Sequence, residues 1–191
     1  MAKYTGYVVI RTDTYANWKA STFGNGYDVD YPNGFGCQCW DLTAEFWWNV
    51  GFPQGYPTLA GTHSAYGAWD DRTQNAGDKF DLIYNKQDIK MGDVIVFNYT
   101  NVTPYGHIGF ADEDYNGTDD INILSQNNGG IPDPDGGAYT NVAHYSLATF
   151  RGAFRYKEWE TTPPTPTPTT RKSHFKWVLY ARKLNQKRSG M

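Results

Sequence analysis

The second half of the chain contains a series of short apolar runs separated by turn-forming residues, and this pattern constrains the fold most. Runs rich in Val, Ile and Phe and bounded by Gly, Asn and Asp predict β-strands. They lie at 93–97, 106–111, 121–124, 142–145 and 150–156. Several consecutive short strands favour an antiparallel sheet.

The segment WDLTAEFWWNV, residues 40–50, predicts a helix ahead of these strands. Leu42, Phe46 and Val50 recur at i, i+4 and i+8, so they give the helix one apolar face. Gly51 follows directly and predicts its end. A helix followed by several antiparallel strands predicts the α+β fold class.

Charge and proline are distributed unevenly and divide the chain into three parts. Residues 161–170, TTPPTPTPTT, predict an extended Thr/Pro linker. Residues 1–160 are long enough for one domain, whereas residues 171–191 are too short to bury a core of their own. The tail carries 7 Lys+Arg and no acid, against 10 Lys+Arg and 20 Asp+Glu before it. We therefore expect a basic amphipathic tail that binds anionic polymers or a membrane surface; the alternative is an unstructured basic end.

No stretch of the chain approaches 18 consecutive apolar residues, so the sequence predicts no membrane-spanning helix. The first residues contain no apolar region and no small-residue cleavage site of the kind that marks a secretory signal. We therefore expect a protein made without a signal peptide.

Two cysteines, Cys37 and Cys39, lie one residue apart at the start of the predicted helix. A zinc site needs three or four ligands, and the chain offers no second Cys or His motif of suitable spacing. A disulfide between them fits bridge geometry poorly. Packing and nucleophilic chemistry remain. The helix N-terminus stabilises a thiolate, which favours Cys39 as a nucleophile and Cys37 as a packing residue.

A cysteine nucleophile needs a base, and His107 is the strongest of the four histidines. It follows a glycine and opens an apolar strand, which would hold the imidazole in one orientation. His63, His144 and His174 lie in less suitable segments. Asn127 follows the next predicted strand and is a candidate to orient the imidazole. Asp112 and Glu113, after the His107 strand, are its rivals.

Taken together, four motifs resemble the CHAP domain (cysteine, histidine-dependent amidohydrolase/peptidase), a papain-like family common in bacteriophage endolysins. The motifs are QCWDL at 38–42, GDVIVF at 92–97, GHIG at 106–109 and LSQN at 124–127. The resemblance covers roughly residues 20–157. It implies a papain-like fold in which N-terminal helices pack on a central antiparallel β-sheet.

The resemblance also implies roles for individual residues. Cys39 would be the nucleophile, His107 the general base and Asn127 the group that orients His107. Gln38, together with the Cys39 backbone N–H, would form the oxyanion hole. In relatives whose third motif reads Glu-Gln-Asn an acid joins the site, but Ser125 occupies that position here, so the orienting role falls more heavily on Asn127.

Several staphylococcal-phage relatives bind calcium through an Asp-x-Asp run before the cysteine and an Asp two residues after it. Asp28, Asp30 and Asp41 match that shape, although the gap from Asp30 to Cys39 is longer here. Carboxylate oxygens are the ligands that Ca²⁺ prefers. We therefore expect these three residues to bind Ca²⁺ and expect no organic cofactor. The alternative is a solvated acidic loop.

The function implied is that of a phage endolysin that hydrolyses an amide bond of peptidoglycan, most simply in a Gram-positive wall. The enzyme would be either an N-acetylmuramoyl-L-alanine amidase or an endopeptidase, monomeric and without nucleic-acid partners. It would act on the host wall after holin-mediated release from the host cytoplasm, or as a virion-associated lysin. Exposed aromatics such as Trp69 and Tyr105 would stack on the substrate. The alternative is a non-catalytic, aromatic-rich glycan-binding module.

Overall fold

The computed structural model describes residues 1–32 and 34–161, so the predicted Thr/Pro linker beyond Thr161 and the basic tail lie outside the described residues. The helices are α1 (Tyr15–Thr22), α2 (Cys39–Asn49), α3 (Arg72–Ala76) and α4 (Lys157–Thr161). The strands are β1 (Lys3–Thr5), β2 (Gly26–Asp28), β3 (Phe80–Ile83), β4 (Val94–Phe97), β5 (His107–Ala111), β6 (Asp120–Ser125), β7 (Asn141–Ser146) and β8 (Phe150–Tyr156). No helix in this part of the chain combines the length and the apolar character needed to cross a bilayer.

Six strands form one antiparallel sheet in the order β3-β8-β4-β5-β6-β7, and β1 pairs with β2 in parallel beside it. The α+β class is therefore confirmed, as are the five predicted strands and the helix that precedes them. Strand β8 is late in the sequence but lies between β3 and β4. The sheet therefore depends on pairing between its last strand and two strands formed by residues 80–97.

Helix α2 packs on one face of this sheet through an aromatic core. Phe46 lies at its centre, fully buried, and contacts the rings of Trp18, Trp47, Phe80, Phe110, Tyr156 and Trp159. In β4, Val94 and Val96 join this core, whereas Ile95 and Phe97 join a second apolar cluster. The central strands are thus covered on both faces, which fixes the start of α2 against β5.

Two polar side chains of α2 fix the extended segment that precedes α1. Glu45 accepts a hydrogen bond from the Val8 N–H at 2.8 Å, and Asn49 accepts one from the Ile10 N–H at 2.7 Å. Glu45 is buried, and its Oε2 has no hydrogen-bond partner among the described residues. Burial raises the pKa of this carboxyl to about 7.

Glu45→Gln is expected to flatten the pH dependence of stability. Because the folded-state pKa of Glu45 is raised, its stabilising contribution is complete below its usual value of about 4.5 and is lost as pH rises through about 7. The free energy of unfolding of the wild type should fall by about 2–3 kcal/mol between pH 5 and pH 8 from this group alone. Urea unfolding at both pH values measures the difference. If the free energy of unfolding of the Gln variant fell equally steeply with pH, Glu45 would not be the group responsible.

Candidate active site

Cys39 is the first residue of α2, and hydrogen bonds at the helix entrance hold its main chain. Gln38 is the N-cap, with an extended backbone at φ −96° and ψ 164°. Its N–H donates to Asp41 Oδ2 at 2.8 Å. Cys39 packs against the core cluster that contains Ile108 of β5, and the Ile108 backbone acts to lower the pKa of its thiol. The thiol therefore lies against the main chain of β5, beside His107.

Burial, and not the helix N-terminus, dominates the titration of this thiol. Burial raises the pKa of Cys39 to about 11, and the negative charge of Asp41 acts in the same direction. The backbone N–H groups of Cys39 and Trp40 at the helix entrance, and that of Ile108 in β5, lower the pKa, but by less. The helix entrance thus acts in the expected direction, but burial outweighs it in the unliganded protein.

Cys37 is buried and makes structural contacts. Its sulfur fills the space beside Gly26, where an added Cβ would lie 2.7 Å away. Its N–H donates to the Gly136 carbonyl at 3.0 Å and to the Asp133 carboxylate at 3.2 Å. Burial raises the pKa of its thiol far above the usual range. Both thiols are free, and the packing role predicted for Cys37 agrees with these contacts.

His107 opens β5 opposite Phe97 of β4 and is only 5% exposed. Burial lowers the pKa of its imidazole to about 4, so the ring is neutral at pH 7 and in the form that accepts a proton. Within residues 1–32 and 34–161, its Nε2 has no hydrogen-bond partner and no hydrogen bond joins the imidazole to the Cys39 thiol. Catalytic hydrogen bonds are often long in unliganded enzymes and tighten with substrate.

An aromatic pair packs against the His107 ring. Tyr145 of β7 stacks on the imidazole with the ring centroids 4.7 Å apart and the planes 13° apart. Phe97 contacts the Tyr145 ring at 4.5 Å and the imidazole at 6.5 Å. Sequence reasoning missed Tyr145, because nothing in the local pattern of β7 indicates which distant residue it will meet.

Asn127 contacts Gln38. Its backbone has φ +54°, and its amide Nδ2 donates to Gln38 Oε1 at 2.6 Å. Gln38 Nε2 in turn donates to the Phe35 carbonyl at 2.7 Å. Among the described residues no hydrogen bond joins Asn127 to His107, and the orienting role of Asn127 stays a prediction.

Gln126 is a buried residue of the site that sequence reasoning missed. Its Oε1 accepts from the Tyr27 N–H at 2.9 Å, and its Nε2 donates to the Tyr27 carbonyl at 2.8 Å and the Gln38 carbonyl at 3.2 Å. The preceding Ser125 donates to the Ile108 carbonyl at 2.7 Å. One short segment thus ties β2, the start of α2 and β5 together.

The two acidic rivals for the orienting role face other partners. Asp112 accepts hydrogen bonds from Lys19 Nζ at 2.6 Å and from the Tyr15 hydroxyl at 2.8 Å, so it ties β5 to α1. Glu113 accepts from the Asn122 N–H at 2.7 Å. These contacts hold both carboxylates away from the imidazole.

Asp28, Asp30 and Asp41 form an acidic cluster whose nearest carboxylate oxygens all lie within 4.8 Å of one another. Burial raises the pKa of Asp41 well above its usual range, and the neighbouring carboxylates act in the same direction. Burial and the Asp28 carboxylate raise the pKa of Asp30. Asp28 is buried, and its Oδ1 has no hydrogen-bond partner in the described part of the chain. This crowding of oxygens, one of them unsatisfied, fits a hard cation.

A second acidic cluster shares Asp28 but contains a lysine. Lys3 of β1 places its ammonium 3.1 Å from Asp28, 2.8 Å from Asp133 and 2.6 Å from Asp135. Burial opposes the charged form, but the three carboxylates outweigh it and raise the pKa of Lys3. The protein thus supplies its own positive charge at this cluster.

The two predicted substrate-stacking aromatics differ in exposure. Trp69 is 7% exposed, packs edge-on against Phe154 and covers Gly152, so the expectation that it is exposed is wrong. Tyr105 is 68% exposed, in the loop before β5. Aromatic content alone does not distinguish core from surface.

Comparisons with known proteins agree with this arrangement. The family profile of the CHAP domain matches residues 26–127. A protein of Streptococcus phage B30, "D-alanyl-L-alanine endopeptidase", is 35% identical over 149 residues, which is 77% of this chain and 31% of that protein. The chain therefore spans about a third of the length of this curated relative. The crystal structure of the wild-type endolysin LysIME-EF1 has a TM-score of 0.57 and 24% identity, over 78% of this chain and 65% of that one. That likeness shows a shared fold.

Proposed function

Because this chain belongs to the CHAP domain family, we propose that it hydrolyses an amide bond of bacterial peptidoglycan, with Cys39 as the nucleophile and His107 as the base. The carrying observation is the placement of Cys39 at the N-terminus of α2, packed against the β5 residues that directly follow His107. The named relatives support a hydrolase. They give no support to the alternative of a non-catalytic glycan-binding module.

The reaction follows from a neutral thiol beside a neutral imidazole. As the sulfur attacks the carbonyl carbon, His107 accepts the thiol proton and then donates it to the leaving amine nitrogen. The C–N bond breaks and leaves a thioester on Cys39. Water then attacks the thioester, with His107 taking a proton from it and returning one to sulfur, which releases the carboxylic acid.

The oxyanion of each tetrahedral intermediate would be stabilised at the entrance of α2. Unpaired N–H groups point out of a helix N-terminus, and the Cys39 N–H is the first of them. Gln38 stands beside it, and Asn127 and Phe35 hold the Gln38 side-chain amide. The network around Gln38 would keep this donor in place without reorganisation during the reaction.

We propose an endopeptidase rather than an amidase. The support is the name of the phage B30 protein, a D-alanyl-L-alanine endopeptidase, whose similarity covers 77% of this chain. The target would be a D-alanyl–L-alanine bond in the peptide part of the wall.

Mass spectrometry of the fragments released from purified streptococcal walls tests both the proposed hydrolysis of peptidoglycan and the proposed bond. An endopeptidase leaves glycan strands with intact stem peptides and creates new D-alanine carboxyl and L-alanine amino termini. Fragments with free lactyl groups on muramic acid would identify an amidase and overturn the bond assignment. Failure to release any fragments would overturn the hydrolase function itself.

We also propose that Asp28, Asp30 and Asp41 bind a calcium ion. The unsatisfied Oδ1 of Asp28 and the crowding of the three carboxylates support this. Gly34 approaches the Asp30 carboxylate so closely that an added Cβ would collide with it, so the loop is shaped around that group. A bound cation would supply the positive charge that three close carboxylates require and would join the 28–30 segment to α2.

Calcium is expected to raise the melting temperature of the wild type. Saturation at about 100 times the dissociation constant stabilises a protein by about 2.7 kcal/mol, or about 5–10 °C for a chain of this size. Scanning calorimetry with calcium and with excess EDTA measures the shift. Asp30→Asn should abolish it, while Asp135→Asn, in the lysine-filled cluster, should retain it. A wild-type melting temperature that is the same with calcium and with EDTA would contradict the proposed calcium site.

As to partners and place of action, we propose that peptidoglycan is the substrate and that the monomer acts on the host wall after holin-mediated release. The phage origin of the B30 relative supports this setting. Wall-polymer or membrane binding by the basic tail at 171–191 stays a prediction from the sequence.

A further inference from the structure

We propose that Tyr145 is a positioning residue that orients the His107 imidazole for catalysis by ring stacking. The inference rests on the proposed hydrolase function, since it concerns how the base of that reaction is held. Tyr145 lies on β7, which pairs with β6 and not with the strand that carries His107. The contact is therefore made by side chains alone.

The geometry is that of an offset stack and not of incidental packing. The two rings are 4.7 Å apart and within 13° of parallel, in the range in which aromatic pairs attract. Phe97 closes the other side of Tyr145, with ring centroids 4.5 Å apart. Phe97 therefore packs against both rings, since its centroid also lies 6.5 Å from that of the imidazole. The stacking ring of Tyr145 is thus held in place by Phe97.

Hydrogen bonding does not supply this orientation within the described residues. The buried Nε2 of His107 has no partner there. Asn127 is hydrogen-bonded to Gln38, Asp112 to Lys19, and the Ser125 hydroxyl to the Ile108 carbonyl. In the described part of the chain, none of these three groups is hydrogen-bonded to the imidazole. The stack with Tyr145 is what sets the plane of the ring.

An imidazole that is free to turn would reach the thiol proton and the leaving amine less often. Misplacement of a catalytic group by about 1 Å costs up to about 100-fold in rate. Substrate binding does not depend on the imidazole plane in the same way. Loss of the Tyr145 ring should therefore lower kcat and leave KM nearly unchanged.

The test compares Tyr145→Leu, Tyr145→Phe and His144→Ala on soluble cross-linked muropeptides, with the melting temperature of each variant. The Leu variant removes the aromatic ring, and the Phe variant keeps it without the hydroxyl. His144 is the exposed neighbour on the same strand and controls for any change to β7. We expect kcat to fall about 10–100-fold in the Leu variant, with KM within about twofold of wild type. The Phe and Ala variants should stay within about threefold of wild type.

Each other outcome overturns the inference. A Leu variant with near-normal kcat would show that the ring is dispensable. Equal losses of kcat in the Leu and Phe variants would assign the effect to the Tyr145 hydroxyl. A loss of kcat that parallels a fall in melting temperature would show that the role of Tyr145 is structural. An inactive wild type would instead defeat the proposed function, so the two failures are distinguishable.

Discussion

Cys39→Ala is expected to reduce the release of wall fragments by about 10⁴-fold or more, while Cys37→Ala keeps it within about threefold. Removing the nucleophile of a hydrolase that forms a covalent intermediate costs factors of this size, because only the rate supplied by binding and oxyanion stabilisation remains. The Cys37 sulfur packs against Gly26 and faces no substrate, so its loss should cost stability and not chemistry.

The two variants form a matched pair, because each removes one sulfur from the same short segment. Clearing of purified walls measures activity, and thermal unfolding confirms that each variant is folded. The cavity left at position 37 should lower the free energy of unfolding by about 1–2 kcal/mol. Loss of activity in the Cys37 variant with retention in the Cys39 variant would reverse the assignment of nucleophile.

Gln126→Leu is expected to lower the free energy of unfolding by about 2–4 kcal/mol and to reduce activity together with it. The leucine leaves the buried N–H and carbonyl of Tyr27 without the partners that the amide supplies. Each buried backbone group left unpaired costs about 1–3 kcal/mol. The Gln38 carbonyl also loses a donor, so the entrance of α2 loosens.

Gln126→Glu is the matched variant, since it keeps the size and shape of the side chain. The carboxylate can still accept from the Tyr27 N–H but cannot donate to either carbonyl, so it should destabilise at least as much as leucine at pH 7. Urea unfolding followed by tryptophan fluorescence measures both. A Leu variant with the wild-type unfolding midpoint would show that the three hydrogen bonds contribute nothing.

The parts of the fold that were predicted correctly are those that depend on residue patterns within a short segment of sequence. The β-branched runs of β4 and β5 and the apolar face of α2 are visible within a few residues. Helix α1 was missed because it buries only Tyr15, Trp18 and Thr22 and shows little periodicity. Strands β1 and β2 are three residues each, too short to carry an alternating pattern.

The site shows the same division between local and long-range information. Cys39 and His107 stand at the starts of elements that the sequence marks, so their positions were predictable. Gln126 contacts Tyr27 across 99 positions, and the stack of Tyr145 on His107 depends on the sheet as a whole. The sequence indicated the lowering effect of the helix entrance on the pKa of Cys39 but not the larger effect of burial, because burial is a property of the complete fold.

The central position of β8 and the ion cluster at Lys3 bear on how this domain could be joined to modules that bind the cell wall. A fragment cut to the family match, residues 26–127, would remove the strand that separates β3 from β4. It would also remove Lys3 together with Asp133 and Asp135, and so leave the buried Asp28 without the ammonium that pairs with it. Module exchange should therefore preserve residues 1–161 as one unit and place its junction after Thr161, so that α4 and the core residue Trp159 are kept.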